Sequence, residues 1–132
     1  IERGCVTTHA NCPLDDLIVI LAKRRIGTVV VVDRDQHVIG IVSERDIIRH
    51  LSTGGTTADT FAKNIMTNKV ITVENNVTSA QLMKLITEHH IRHVPITRDG
   101  KLVGIVSIGD VVKRLLEKYE QEAELIKQFI NS

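Results

Sequence analysis

Apolar residues recur along this chain with two alternating periods. Between Leu14 and Arg25 they fall at Leu14, Leu17, Ile18 and Leu21, the three-and-four spacing that gives a helix one apolar face. Val29 to Val32 is an unbroken β-branched run, the pattern of a strand covered on both faces. A polar turn at Arg34-Asp35-Gln36 leads to a second strand over Val38 to Val42, and a further helix is predicted over Glu44 to Leu51. A short β segment at Val6 to Thr8 precedes the set, so the order is β-α-β-β-α.

The same order returns downstream. Val70 to Val73 reads as a short β segment, Val77 to His90 as a helix with Leu82, Leu85 and Ile86 on one face, and Asp99-Gly100 as a hairpin turn before a helix that starts at Ile108. The stretch from Val31 to Asp46 recurs 64 positions later as Pro95 to Asp110, in a register that needs no gap. That register sets Leu17, Ile18 and Leu21 against Gln81, Leu82 and Leu85. A unit of about 50 residues buries too little surface to be stable alone. The expected fold is therefore α/β (α+β): tandem repeats packed sheet to sheet with pseudo-two-fold symmetry.

The Gly- and Thr-rich stretch Ser52 to Thr60 marks a linker. The expected boundaries are residues 1–52 for the first repeat, 53–63 for the linker, 64–116 for the second repeat and 117–132 for a C-terminal helix. The chain opens at Ile1 and not at Met, which reads as a truncated N-terminus. The last helix carries a stripe at Val111, Leu115, Leu116, Tyr119, Ala123, Ile126 and Ile130. This stripe either packs back on its own repeat or covers a second protomer, and a homodimer is expected.

Composition narrows the function classes. Hydrophobic residues at 42% and charged residues at 25% fit a globular protein. Seventeen basic against sixteen acidic residues argue against a nucleic-acid partner, which would be met by an excess of basic charge. No apolar run approaches the roughly 18 residues of a membrane span, and no signal peptide opens the chain, so a cytoplasmic protein without a membrane partner is expected. Cys5 and Cys12 match no metal or redox spacing and read as reduced thiols. His89 and His90 are adjacent on a helix and point apart, while His93 falls on the next strand. No Cys or carboxylate completes a tetrahedral set with them, so they read as surface or phosphate contacts, with no metal. No nucleophile, base and orienting acid stand at usable spacing, and no Gly-rich cofactor fingerprint is present. No catalytic residue is assigned and no enzyme is expected.

Both copies close with Gly-Ile-Val-Ser-x-x-Asp before a helix. Ile65-Met66-Thr67 opens the second, and Arg92-His93-Val94-Pro95-Ile96 lies on its middle strand. Together these resemble the tandem cystathionine β-synthase (CBS) domain pair, or Bateman module, from about Val6 to Leu116. The Val-Ser-Ile-Gly-Asp-Val-Val-Lys segment with an acidic helix after it is similar to small stand-alone bacterial CBS proteins. The resemblance implies a non-catalytic sensor without a catalytic cofactor. It would hold AMP, ADP, ATP, NAD(H) or S-adenosylmethionine in two clefts between the repeats, and such pairs usually assemble as disc-like dimers. The competing class is a structural dimerisation domain with no physiological ligand.

Carried over residue by residue, the resemblance implies one site at Ser107 and Asp110 with Val6, Thr7, Ile26, Gly27, Thr28 and Ile105. It implies another at Ser43 and Asp46 with Ile41, Val70, Ile71, Ile91 and Arg92. Chemically, an ionised Asp can accept both hydroxyls of a ribose, and a Ser at a helix N-terminus suits a phosphate. The same Ser-x-x-Asp is also an ordinary capping box, and both roles are compatible. The two sites differ. Ser-Glu-Arg-Asp offers Arg45 to a phosphate, where Ser-Ile-Gly-Asp has Gly109 and more room. Arg92 and His93 have Thr28 and Val29 as counterparts in the gapless register. Arg45 is expected to converge on ligand phosphates with Arg92 or His93, and the two clefts can then take different ligands.

Overall fold

The computed structural model describes residues 6–131. Cys5 lies outside the described residues, and Cys12 is a half-buried free thiol. The first repeat contains β1 (Thr7–Thr8), α1 (Leu14–Arg24), β2 (Thr28–Val32), β3 (Val38–Ser43) and α2 (Glu44–Ser52). After α3 (Ala62–Ile65) come β4 (Val73–Glu74), α4 (Ser79–His89), β5 (His93–Arg98), β6 (Lys101–Ser107) and α5 (Ile108–Asn131). Each repeat builds one three-stranded sheet, in which the short first strand pairs parallel with the middle strand and the middle strand pairs antiparallel with the last.

The expected α/β repeats are present, but the gapless register is not. Ladder pairing sets Thr28 opposite Ser43 in the first repeat and His93 opposite Ser107 in the second. The offset between repeats is therefore 65 residues up to the middle strand and 64 after it. The difference lies in the hairpin. The first has residues 33–37 between the paired Val32 and Val38, while the second has residues 98–101 between Thr97 and Leu102, one fewer. In the longer turn Asp33 Oδ1 accepts from the backbone N–H groups of Asp35 and His37, each at 2.9 Å. These donors, His37 first, hold its carboxyl below the usual range. The shorter turn has Asp99 and Gly100 at φ 52° and 82°, the two positive angles of a tight hairpin.

The corrected register aligns the cores. Leu17, Leu21, Val29, Val31, Val42 and Ile47 are buried in the first repeat, and Leu82, Ile86, Val94, Ile96, Val106 and Val111 take their places in the second. Leu17 is thus the counterpart of Leu82, and the apolar match is complete.

Three local expectations shift. The strand expected at Val70 to Val73 pairs only from Val73. Helix α4 starts at Ser79 because Thr78 caps it: its Oγ1 accepts from Gln81 N–H at 3.1 Å and Gln81 Oε1 accepts from Thr78 N–H at 3.0 Å. The segment carrying Ile65-Met66-Thr67 packs on the first repeat. Ala62 is fully buried in that core with Ile65 and Met66 against it. Thr67 and Ile41 exchange backbone hydrogen bonds at 2.9 and 3.1 Å. Gly40 allows this approach, since a Cβ there would fall 2.3 Å from Met66 Sδ and 2.8 Å from its Cγ.

The repeats meet at the hairpins and strand starts. His37 bridges Lys101, Leu102 N–H donates to Gln36 carbonyl at 3.0 Å, and Thr28 Oγ1 lies 3.3 Å from His93 Nδ1. Helix α5 packs on its own repeat only through its first turns, with Val111 buried and Leu115 partly so. Farther along, Leu116, Tyr119, Ile126 and Ile130 are all more than half exposed. Among the described residues no helix is long and apolar enough to cross a membrane.

Candidate functional site: two clefts between the repeats

Each repeat ends its last strand on a serine that caps the next helix. Ser43 Oγ accepts from Asp46 N–H at 3.3 Å, while Asp46 Oδ2 accepts from Ser43 N–H at 2.8 Å and from its hydroxyl at 3.1 Å. Ser107 and Asp110 repeat the arrangement at 3.2, 3.2 and 2.9 Å. The capping role read from the sequence is therefore present at both junctions. It fixes each carboxylate through one oxygen; the other oxygen of Asp46 faces Arg49 Nη1 at 3.6 Å.

The helix starts are matched in detail. Glu44 N–H donates to Gly27 carbonyl at 2.9 Å, and Ile108 N–H donates to Arg92 carbonyl at 2.8 Å. Gly27 is therefore the counterpart of Arg92, and Thr28 that of His93, which replaces the Thr28 and Val29 expected from the gapless register. Arg45 and Gly109 are the second residues of α2 and α5, where a helix offers its N–H groups no intrahelical acceptor, the arrangement that receives an anion at a helix N-terminus.

The first cleft joins Ser107, Asp110 and Ile105 of the second repeat to Val6, Ile26, Gly27 and Thr28 of the first. Arg25 and His93 complete its lining. The second cleft joins Ile41, Ser43, Arg45 and Asp46 of the first repeat to Ile91, Arg92 and His93 of the second. Thr67, Glu44, His90, Gly27 and Thr28 also border it. The structure thus brings each Ser-x-x-Asp against the strand start of the opposite repeat.

Four expected residues, Thr7, Val70, Ile71 and Gly109, lie off the linings. Thr7 is engaged in β1 opposite Val30. Val70 and Ile71 precede the first pairing of β4, and Thr67, held by Ile41, stands at the second cleft in their place. Gly109 offers only its backbone. Sequence reasoning missed Arg25 as a cleft residue and left His90 as one of three surface or phosphate-contact histidines. Both are helix C-caps in the left-handed conformation, at φ 52° and 53°. A non-glycine residue costs of order 1 kcal/mol there. The correct register pairs them, whereas the gapless one set Arg25 against His89.

The electrostatics of the clefts differ. Arg45, Arg92 and His90 border the second along with Glu44 and Asp46, whereas Arg25 and His93 face Asp110 in the first. His93 is held below the usual imidazole range, chiefly by burial. The Asp110 carboxylate works in the opposite direction and the Arg92 cation adds to the depression.

A family model described as CBS domain matches residues 1–53 and again residues 62–117. The chain is 33% identical over 120 residues to the mitochondrial CBS domain-containing protein CBSX3 of Arabidopsis thaliana, covering 87% of this chain and 58% of that protein. The chain spans little more than half the length of the first two curated relatives that it matches, 58% and 54%. Among solved structures, a CBS domain protein of Pyrobaculum aerophilum complexed with AMP is 32% identical with a TM-score of 0.76. That match covers 83% of this chain and 85% of the other. The CBS domain pair of protein MJ0100, in complex with 5'-methylthioadenosine and S-adenosyl-L-methionine, is 25% identical with a TM-score of 0.80. It covers 89% and 93% of the two chains.

Proposed function

This chain belongs to the CBS-domain family as a tandem pair, and from that premise we propose that it is a non-catalytic sensor that binds adenine nucleotides in its two clefts. One observation carries this reading: each cleft faces a capped Ser-x-x-Asp of one repeat against the strand start of the other. In this reading the ribose hydroxyls bond to the carboxylates of Asp46 and Asp110. Phosphates meet the N–H groups of Arg45 and Gly109, and adenine lies among Ile26 and Ile105 or Ile41 and Ile91. AMP in the Pyrobaculum protein and the two adenosyl compounds in the MJ0100 pair support this ligand class. Among AMP, ATP and NAD(H), the second cleft suits the more highly charged ligand, because it offers phosphates two arginines where the first offers one.

The repeats are assigned to residues 1–52 and 64–116, and a homodimer is assigned with the exposed stripe of α5 contributing to it. Ligand in a cleft would favour one relative orientation of the repeats, which a regulated partner reads through differential affinity. Calorimetric titration with AMP, ATP, NADH and S-adenosylmethionine is the test. Micromolar binding of at least one is expected, and no binding to any of them overturns the proposal.

The second reading, a structural dimerisation domain, has an observation of its own: both capping boxes are complete without a ligand. It predicts a concentration-dependent dimer that none of these nucleotides affects.

A further inference from the structure

We propose that His93 is the side chain by which both clefts recognise ligand phosphate, so that phosphorylated adenosines are preferred over uncharged or cationic adenosyl compounds and the two sites share one proton. The inference rests on the nucleotide-binding reading above and adds the group that selects among adenosyl ligands.

His93 opens β5 and borders both clefts. Its Nδ1 lies 3.3 Å from Thr28 Oγ1 across the repeat boundary. Thr28 is its counterpart under the pseudo-two-fold, so one imidazole stands where the duplication would otherwise supply two. The ring is half-buried, and its Nε2 makes no hydrogen bond among the described residues. The charged groups around it come from every neighbouring element. Asp110 from α5 and Arg25 from the end of α1 lie in the first cleft. Arg92 is adjacent in sequence, and Glu44, Arg45 and Asp46 from α2 with His90 lie in the second.

A neutral imidazole has one N–H. If that N–H is on Nδ1 and donates to Thr28, Nε2 presents a lone pair, which repels a phosphate oxygen. The protonated ring donates from both nitrogens, to Thr28 and to the phosphate together. Burial and Arg92 hold the ring below the ordinary imidazole range before ligand arrives. A phosphate beside it favours the proton. AMP binding therefore takes up a proton. Arginines alone would act in the opposite sense, since cations favour the phosphate dianion, whose last proton has a pKa of about 6, and so release one. Because the ring has one N–H beyond the one it gives to Thr28, it donates to the phosphate of one cleft at a time, and uptake reaches at most one proton per chain.

Calorimetry of AMP binding near neutral pH, in two buffers of different ionisation enthalpy, counts the protons. Wild-type protein is expected to show net uptake with AMP and none with adenosine. In His93→Gln the uptake disappears and AMP affinity falls about tenfold, the equivalent of one pKa unit, while adenosine affinity stays within about twofold. Thr28→Val removes the acceptor for Nδ1–H of the protonated ring, so uptake falls there too while the imidazole stays in the site. Equal proton counts for AMP in wild type and both variants overturn the role of His93 while leaving nucleotide binding intact. Wild-type protein that binds neither AMP nor adenosine overturns the underlying reading, and this inference with it.

Discussion

The two clefts share a frame and differ in the charged side chains that border them. Both place a serine cap, an aspartate and an aliphatic pair in matching positions. Arg92 and Arg45 border the second cleft, and their counterparts at the other helix start are Gly27 and Gly109. The four matched positions are all tied to the helix starts: Gly27 and Arg92 give carbonyls to the first N–H of α2 and α5, and Arg45 and Gly109 follow those residues. The backbone hydrogen bonds are the same with either side chain, so the fold does not decide these positions. Duplication has kept what the repeat needs to close and varied what a ligand would feel. Affinity for polyphosphates can therefore differ between the clefts without a difference in architecture.

The largest effects belong to the part that does not differ. Leu17→Ala and Leu82→Ala remove equivalent core side chains, 0% and 4% exposed. Each is expected to lower unfolding stability by about 2–5 kcal/mol in denaturant titration. Similar losses indicate that the repeats bear the fold equally; a loss below about 1 kcal/mol at either site would break the equivalence. Next comes the charge difference. Replacing Arg45 and Arg92 together by glycine gives the second cleft the side chains of the first at these positions. Loss of charge-assisted hydrogen bonds worth about 1.5–3 kcal/mol each should weaken ATP there by at least about tenfold, while AMP in the first cleft changes little. Calorimetry resolves the two sites, and an unchanged ATP affinity would show that these arginines are only solvated.

Smaller effects sharpen the comparison. Gly40→Ala forces a methyl against Met66 and should cost about 1–3 kcal/mol, read as a lower thermal midpoint, because α3 must shift off the first repeat. Arg25→Gly and His90→Gly should each raise stability by about 0.5–1 kcal/mol by relieving a left-handed non-glycine residue, yet weaken nucleotide binding in the first and second cleft respectively. The smallest effect concerns pH. A histidine with a depressed folded pKa contributes stability that is fully present above its unfolded value of about 6.5 and is lost as pH falls through the folded value. Unfolding stability should therefore decline more steeply below about pH 6.5 in wild type than in His93→Gln.

Much of this was legible in the chain, for identifiable reasons. Alternation of three-and-four spacing with β-branched runs locates α1, β2, β3, α2 and their copies because each element must bury one face or two. The Ser-x-x-Asp sites are legible because capping restricts residue choice. The repeat register was misread upstream of the hairpin because the Gly-Ile-Val-Ser segment dominates the alignment. The extra residue hides in a turn where Asp33, and not a glycine, makes the bend. Arg25 and His90 carry no signal of their own, since a left-handed C-cap usually announces itself as Gly or Asn. Likewise α3 lies in only four residues, and its burial depends on contacts with Cys12 and Ile41 that local pattern does not reveal.

The central claim is that Asp46 and Asp110 each hold one adenine nucleotide. AMP titration of wild type, Asp46→Ala and Asp110→Ala tests it most directly, with thermal unfolding run alongside because either change also removes a cap worth about 0.5–2 kcal/mol. The account predicts two AMP per chain in wild type and one in each folded variant, lost from the cleft that carries the substitution. Two AMP per chain in all three proteins, or none in wild type, would contradict it.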